Sequence, residues 1–146
     1  MTNTTELIER RDLLTEDVIN DFNDTFEADI YDLDEMISYE PEEDDDHYED
    51  YEDEFNTFRD AWADELQEIR NIDEIESDIG SREFQYGITL IPVDDFEEYV
   101  QDYVRELYNM SDIPSWIEID WDATAHNLSS DFSSVEYDGD SYYYQP

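Results

Sequence analysis

The stretch "REFQYGITLIPVDDFEEYVQDYVRELYN", Arg82–Asn109, decides the fold class. Its first half alternates Phe84, Tyr86, Ile88 and Leu90, the period of a half-buried strand. Pro92 ends that run, because it has no N–H to give to a ladder. In the second half the period changes. Val93, Phe96, Val100, Val104 and Leu107 recur at helical spacing and predict a helix over Val93–Asn109 with one apolar stripe. Asp95, Glu98, Asp102 and Glu106 point directly away from it. A strand running into an amphipathic helix suggests an α+β fold, with acidic helices packed on a small antiparallel sheet.

The flanks agree. Upstream, Phe55, Phe58, Trp62, Leu66 and Ile69 share one helical face, with Asp53, Asp60, Asp64 and Glu68 opposite. Residues 5–26 read as one or two helices, with Leu14, Val18, Phe22 and Phe26 at near-helical spacing, and a short helix is expected over Tyr31–Ile37. Downstream of Ile113-Pro114 a short helix is expected over Asp120–Leu128. The end, "SSVEYDGDSYYY", reads as a hairpin, since Asp138-Gly139 suits the φ > 0 positions of a tight turn. No internal repeat is found.

Between the helical patterns lies "YEPEEDDDHYEDYEDEF", Tyr39–Phe55, with eleven carboxylates, one histidine, four aromatic rings and no lysine or arginine. Pro41 is expected to break helix there. Glu42, Glu43, Asp44, Asp45, Asp46, Glu49, Asp50 and Glu52 make it a secondary acidic surface, and a mobile acidic loop is an equally good reading of the same residues.

The whole chain repeats this bias. Its 146 residues hold 46 Asp and Glu against six Arg and no Lys, a formal net charge of −40. A disordered acidic chain lacks the apolar residues for a core, whereas 38% of this one is hydrophobic and 15% aromatic. A folded domain with a very acidic surface follows, even though such charge opposes its own compact state. Halophilic adaptation would explain the charge but does not need the aromatic load. Without cysteine there is no disulfide or thiolate chemistry. The start "MTNTTELIERR" has no apolar h-region and no apolar run approaches membrane-spanning length, so a cytoplasmic protein is expected, away from the membrane. An anionic surface repels nucleic acid, so the expected partner is a basic protein.

Enzymatic chemistry finds little footing. With 46 carboxylates, the proximity of two carries no information. His47, expected to be exposed, and His126 have no metal-ligand spacing partner. Gly80, Gly87 and Gly139 make no phosphate-binding loop, and the spacing of an EF-hand is missing. No catalytic residue, metal or cofactor is expected.

The acid rows are instead comparable to a nucleic acid. At about 1.5 Å rise per residue, Asp95, Glu98, Asp102 and Glu106 are spaced roughly 4.5–6 Å along the axis. One DNA strand carries a phosphate per roughly 3.4 Å, so a single row falls short, and flanking acids such as Asp94 and Glu97 bring it closer. Forty charges at duplex density correspond to roughly 70 Å of DNA, about 20 base pairs. A charge row opposite an apolar stripe is ordinarily a solvated helix face, but such faces interleave Lys and Arg, and these rows do not.

The segment "DIPSWIEIDWDATAHNLSSDF", Asp112–Phe132, resembles the C-terminal part of the ArdA antirestriction proteins, matching at Ile113, Pro114, Ile119, Asp120, Trp121, Asp122, Ala123, Ala125 and Leu128. The preceding helix and the closing strands fit that arrangement, and "FRDAWADEL", Phe58–Leu66, is more faintly similar to the family's middle region. On this basis residues 1–54 form an acidic, mainly helical lobe with an acidic loop, and residues 55–146 an ArdA-like α+β region. The resemblance implies a dimeric DNA mimic from a phage or mobile element, acting in the host cytoplasm on the DNA-binding groove of type I restriction-modification enzymes. The alternative is an acidic chaperone or inhibitor for histone-like or nucleoid proteins, RNA polymerase or a CRISPR effector.

Overall fold

The computed structural model describes every residue from Met1 to Pro146. It is an α+β structure of seven α-helices and a four-stranded antiparallel sheet, whose strands β1 (Thr2–Asn3), β2 (Thr89–Pro92), β3 (Ser133–Tyr137) and β4 (Asp140–Tyr144) lie in the order β1-β2-β4-β3. The chain divides into two compact units, Leu7–Asp73 and Met1–Glu6 together with Glu74–Pro146. The boundary expected between residues 54 and 55 therefore moves. Residues on both sides of it share one core, as the rings of Tyr51, Phe55 and Phe58 show.

The unit Leu7–Asp73 contains most of α1 (Thr4–Phe26), α2 (Leu33–Ser38), α3 (Tyr51–Ala61) and the first part of α4 (Ala63–Ile79). Leu14, Val18, Phe22 and Phe26 are all buried, so residues 5–26 are one helix with one inward stripe. Phe22 lies 4.8 Å from Phe26, 5.4 Å from Tyr39 and 5.5 Å from Phe58, ring centre to ring centre, and the last two pairs are edge-to-face. That geometry sets the positive ring edge of one against the negative face of the other. Glu27, at φ 51°, takes the left-handed step that ends α1. Asn23 then fixes the return: its amide donates to the Ile30 carbonyl and accepts from the Ile30 N–H, both at 3.0 Å.

The helix carrying Phe55 to Ile69 is two helices that meet at Trp62. Helical hydrogen bonds cross the junction, from Trp62 N–H to the Phe58 carbonyl and from Leu66 N–H to the Trp62 carbonyl. The apolar face is preserved through it: Phe58, Leu66 and Ile69 are buried and Phe55 and Trp62 half-buried in the same cluster.

In the other unit, β1 (Thr2–Asn3) pairs with β2 (Thr89–Pro92), β2 with β4 (Asp140–Tyr144), and β4 with β3 (Ser133–Tyr137). The last pair is the expected hairpin, with Asp138 and Gly139 at φ 50° and 82° in its turn. Thr4 is fully buried beside β1. Its hydroxyl donates to the Phe84 carbonyl at 2.7 Å and accepts from the Ile88 N–H at 2.8 Å.

The strand expected from Phe84 onward is shorter. Residues Ser81–Tyr86 form α5 instead, and β2 begins only at Thr89. Gly87, at φ 94°, separates the two. The alternation at Phe84 and Tyr86 was thus not a strand face: Phe84 is buried and Tyr86 is exposed.

The helix expected over Val93–Asn109 starts with a single 3-10 turn at Val93–Asp95 and continues as α6 (Phe96–Leu107). Its stripe is narrower than the sequence pattern. Phe96 and Val100 are buried and Val104 is half-buried, packed with Ile91, Ala125, Leu128, Phe132 and Tyr143, whereas Val93 and Leu107 at the two ends are exposed. The last helix, α7 (Trp121–Ser129), is capped by Asp120, whose carboxylate accepts from the Ala123 N–H at 3.1 Å.

Candidate partner-binding surface

Packing of Phe96 and Val100 into the core fixes the rotation of α6 and turns its acids outward. Asp95, Glu98, Asp102 and Glu106 line one shallow groove of about 420 Å³, together with Met1, Tyr99 and Tyr103. All four carboxylates belong to exposed residues. The Asp102 carboxylate is approached by Arg105, one turn further on, at 3.9 Å. The pair is more than half exposed, where such contacts contribute little, so the row keeps its negative character.

The flanking acids divide differently than expected. Asp94 lines a second concavity with Asp95, Gly139, Asp140 and Ser141. The row therefore extends past the start of α6 onto the hairpin turn, through Asp140, which sequence reasoning missed because it lies 45 residues from Asp95 in the chain. Glu97 is exposed, but at 100° per residue it stands about 160–180° around the helix from Glu106 and Asp95. It does not add to this row.

The acids of α3 and α4 are also unequal. Asp53, Asp60 and Asp64 are exposed. Glu68 accepts a forked pair of hydrogen bonds from Arg10, 2.9 Å from Nε and 3.2 Å from Nη2. A carboxylate so engaged is a structural partner of α1 and is removed from the phosphate-like set. Next to it on the same two helices, Arg11 donates to Asp73 at 2.8 Å.

The acidic segment is locally folded. Hydrogen bonds run from Asp45 N–H to the Glu42 carbonyl, from Tyr48 N–H to the Asp45 carbonyl and from His47 N–H to the Asp45 carboxylate. Glu42, Asp44, Asp45 and Asp46 line a concavity with Glu27, Tyr39 and Glu40. Glu43, Asp46, Glu49 and Asp50 are exposed, and Glu52 already belongs to the first turn of α3. His47, expected to be exposed, is half-buried. Its ring stands edge-on to Phe26 at 5.5 Å, and its Nδ1 lies 2.7 Å from the Glu54 carboxylate. That hydrogen bond is the largest cause raising its pKa, and the charges of Glu54, Asp45 and Glu27 add to it while burial opposes.

Four of the residues that carry the family resemblance sit in structural roles. Asp120 caps α7, Ala125 is buried, and Trp121 and Leu128 pack on the Phe96–Val100 cluster. They hold α6 in place and do not themselves form the acid row. No helix is long and apolar enough to cross a membrane, and no group of His, Asp and Glu is arranged to hold a metal ion. Compared with known proteins, the chain matches no family model, no curated protein and no solved structure.

Proposed function

We propose that this protein is a DNA mimic that inhibits a DNA-binding defence enzyme by occupying its cationic groove, with a type I restriction-modification complex as the target. The observation that carries the reading is the α6 row: Asp95, Glu98, Asp102 and Glu106 exposed along one groove on a helix whose other side is held by core packing. Asp94 and Asp140 prolong it in the adjoining concavity. From residue 95 to residue 106 the helix rises roughly 16 Å, over which one DNA strand carries about five phosphates. Carboxylates held in such a row exchange for phosphates against Arg and Lys, and counterions are released from both surfaces. The resemblance of Asp112–Phe132 to the ArdA proteins supports the same target and a homodimer, which doubles the charge presented. The mechanism is competition without chemistry, in the cytoplasm of the host cell.

Stoichiometry tests it. Added to a type I restriction-modification enzyme, the protein should abolish DNA translocation and cleavage near one dimer per DNA-binding site. Inhibition at far lower, catalytic amounts would contradict a mimic.

One observation favours a second reading, an acidic chaperone for nucleoid-type basic proteins. Glu27, Glu40, Glu42, Asp44, Asp45 and Asp46 converge on a concavity of their own that owes nothing to α6. Binding carried by these residues alone would select that reading.

A further inference from the structure

Carboxylates by themselves attract any cation, but the α6 groove holds more than carboxylates. Tyr99 and Tyr103 line it and stack on each other, ring centres 6.2 Å apart and planes 19° from parallel. The stack continues inward, where Tyr99 lies 6.0 Å from Phe96 at 22°. Phe96 is buried and Tyr103 is 42% exposed, so a ladder of rings leads from the core to the rim of the acid row. Holding an aromatic ring open to water has a cost that a simple solvated helix face would avoid by placing a polar residue there.

The chain's own arginines show what such a surface takes. Arg105 lays its guanidinium 5.9 Å from the ring centre of Trp121 while its Nη1 reaches toward Asp102, itself a groove residue. Arg59 also lies 5.6 Å over a ring, that of Phe55, with its Nη2 donating to the Asn56 side-chain oxygen. A ring face beside an oxygen acceptor is thus a setting this protein already uses for a guanidinium, and at Arg105 the acceptor is a carboxylate. Lysine suits that setting less well, because its ammonium is compact, strongly hydrated and has no flat face to stack.

We infer that the α6 groove reads arginine: it takes guanidinium groups of an arginine-rich partner surface in preference to lysine ammoniums, with Tyr103 and Tyr99 supplying ring faces and Glu98, Asp102 and Glu106 the acceptors. This deepens the proposed function and rests on α6 being the partner-binding surface. It predicts that the contacted wall of the target is arginine-rich. It also separates α6 from the acid faces that lack exposed rings, which attract either cation by charge.

The test is a site-resolved NMR titration of the full-length protein with a tetra-arginine and a tetra-lysine peptide, followed at the tyrosine rings and at the amides of α6. The dissociation constant read at α6 should be roughly five-fold lower for the arginine peptide, the size of a partly exposed cation–π contact plus bidentate hydrogen bonding. Tyr103→Leu removes the ring without touching charge, so most of that preference should disappear, with arginine binding falling more than lysine binding. What remains in Tyr103→Leu is the contribution of the carboxylates and of the less exposed Tyr99 ring. Tyr103→Phe keeps the ring and should keep the preference, which guards against a Leu variant that fails to fold. Equal affinity for both peptides in the unaltered protein, or a preference undiminished in Tyr103→Leu, overturns the inference. Either result leaves the DNA-mimic reading standing, since that reading is tested by the stoichiometry of inhibition and by competition with duplex DNA and not by which cation the groove prefers.

Discussion

His47 is the one residue within the acidic segment that can become positive near neutrality. Its bond to Glu54 raises its pKa in the folded protein, so the folded state holds the proton more tightly than an unfolded chain, whose histidine titrates near 6.5. The resulting stabilisation is fully present below about pH 6.5 and is lost as pH rises through the higher folded-state value. Replacing His47 by Gln should therefore cost more stability at about pH 6 than at about pH 8.5, as urea unfolding of both proteins would show. An equal cost at the two values would mean that the contact with Glu54 carries no charge component. Thr4 presents a different single-residue case, a buried hydroxyl with two backbone partners. Thr4→Val leaves the Ile88 N–H unpaired in the interior and should lower stability by about 1–3 kcal/mol, measurable in the same way. Neither role was legible in the sequence. Thr4 and Phe84 are 80 residues apart, and Arg10 and Glu68 are 58 apart. Pairings of that kind depend on which helices become neighbours, and local periodicity carries no information about them.

Among the elements, α6 is one whose buried and acidic faces were both readable beforehand. Its buried stripe and its acid row have the same period, so locating one located the other. The error lay at the ends, where Val93 and Leu107 obey the period but extend beyond the neighbours that could cover them. The segment before it misled for a related reason. Phe84, Tyr86, Ile88 and Leu90 alternate, but Gly87 divides them between a helix and a strand, and a two-residue period over so short a run cannot register such a break. If the packed row is the functional surface, converting Asp95, Glu98, Asp102 and Glu106 together to Asn or Gln should weaken target binding and make its salt dependence shallower. The helix should persist, because its buried face is untouched and like-charge repulsion along it is relieved. Neutralising Asp44, Asp45, Asp46 and Glu49 removes the same formal charge from the acidic segment and should weaken binding less. The hydrogen bonds that tie that segment down narrow the expected gap. A larger loss from the segment variant would favour the chaperone reading.

At the scale of the whole molecule the formal charge of −40 dominates. Six arginines cannot neutralise 46 carboxylates, and several of the six serve structure, as Arg10 does with Glu68 and Arg11 with Asp73. Self-repulsion should be relieved by screening, since the Debye length falls from about 30 Å at 0.01 M salt to about 3 Å at 1 M. The midpoint of thermal unfolding should therefore rise with sodium chloride, and a flat or falling midpoint would show that the acids are paired to a degree the structure does not display. The class of fold and the sign of the surface were both legible from composition and period. The division into units was not, because it turns on the Tyr51, Phe55 and Phe58 rings meeting Phe22 and Phe26 across an acidic segment.

Mimicry itself is tested most directly by equilibrium competition. A fluorescent duplex of about 20 base pairs, the length whose charge matches −40 at duplex density, is bound to a type I restriction-modification enzyme and titrated with the protein, and the reverse titration is run with labelled protein. Mutually exclusive binding is predicted in both directions, with each apparent affinity falling in proportion to the competitor and both weakening steeply with salt. A ternary complex in which enzyme, duplex and protein coexist would contradict the account.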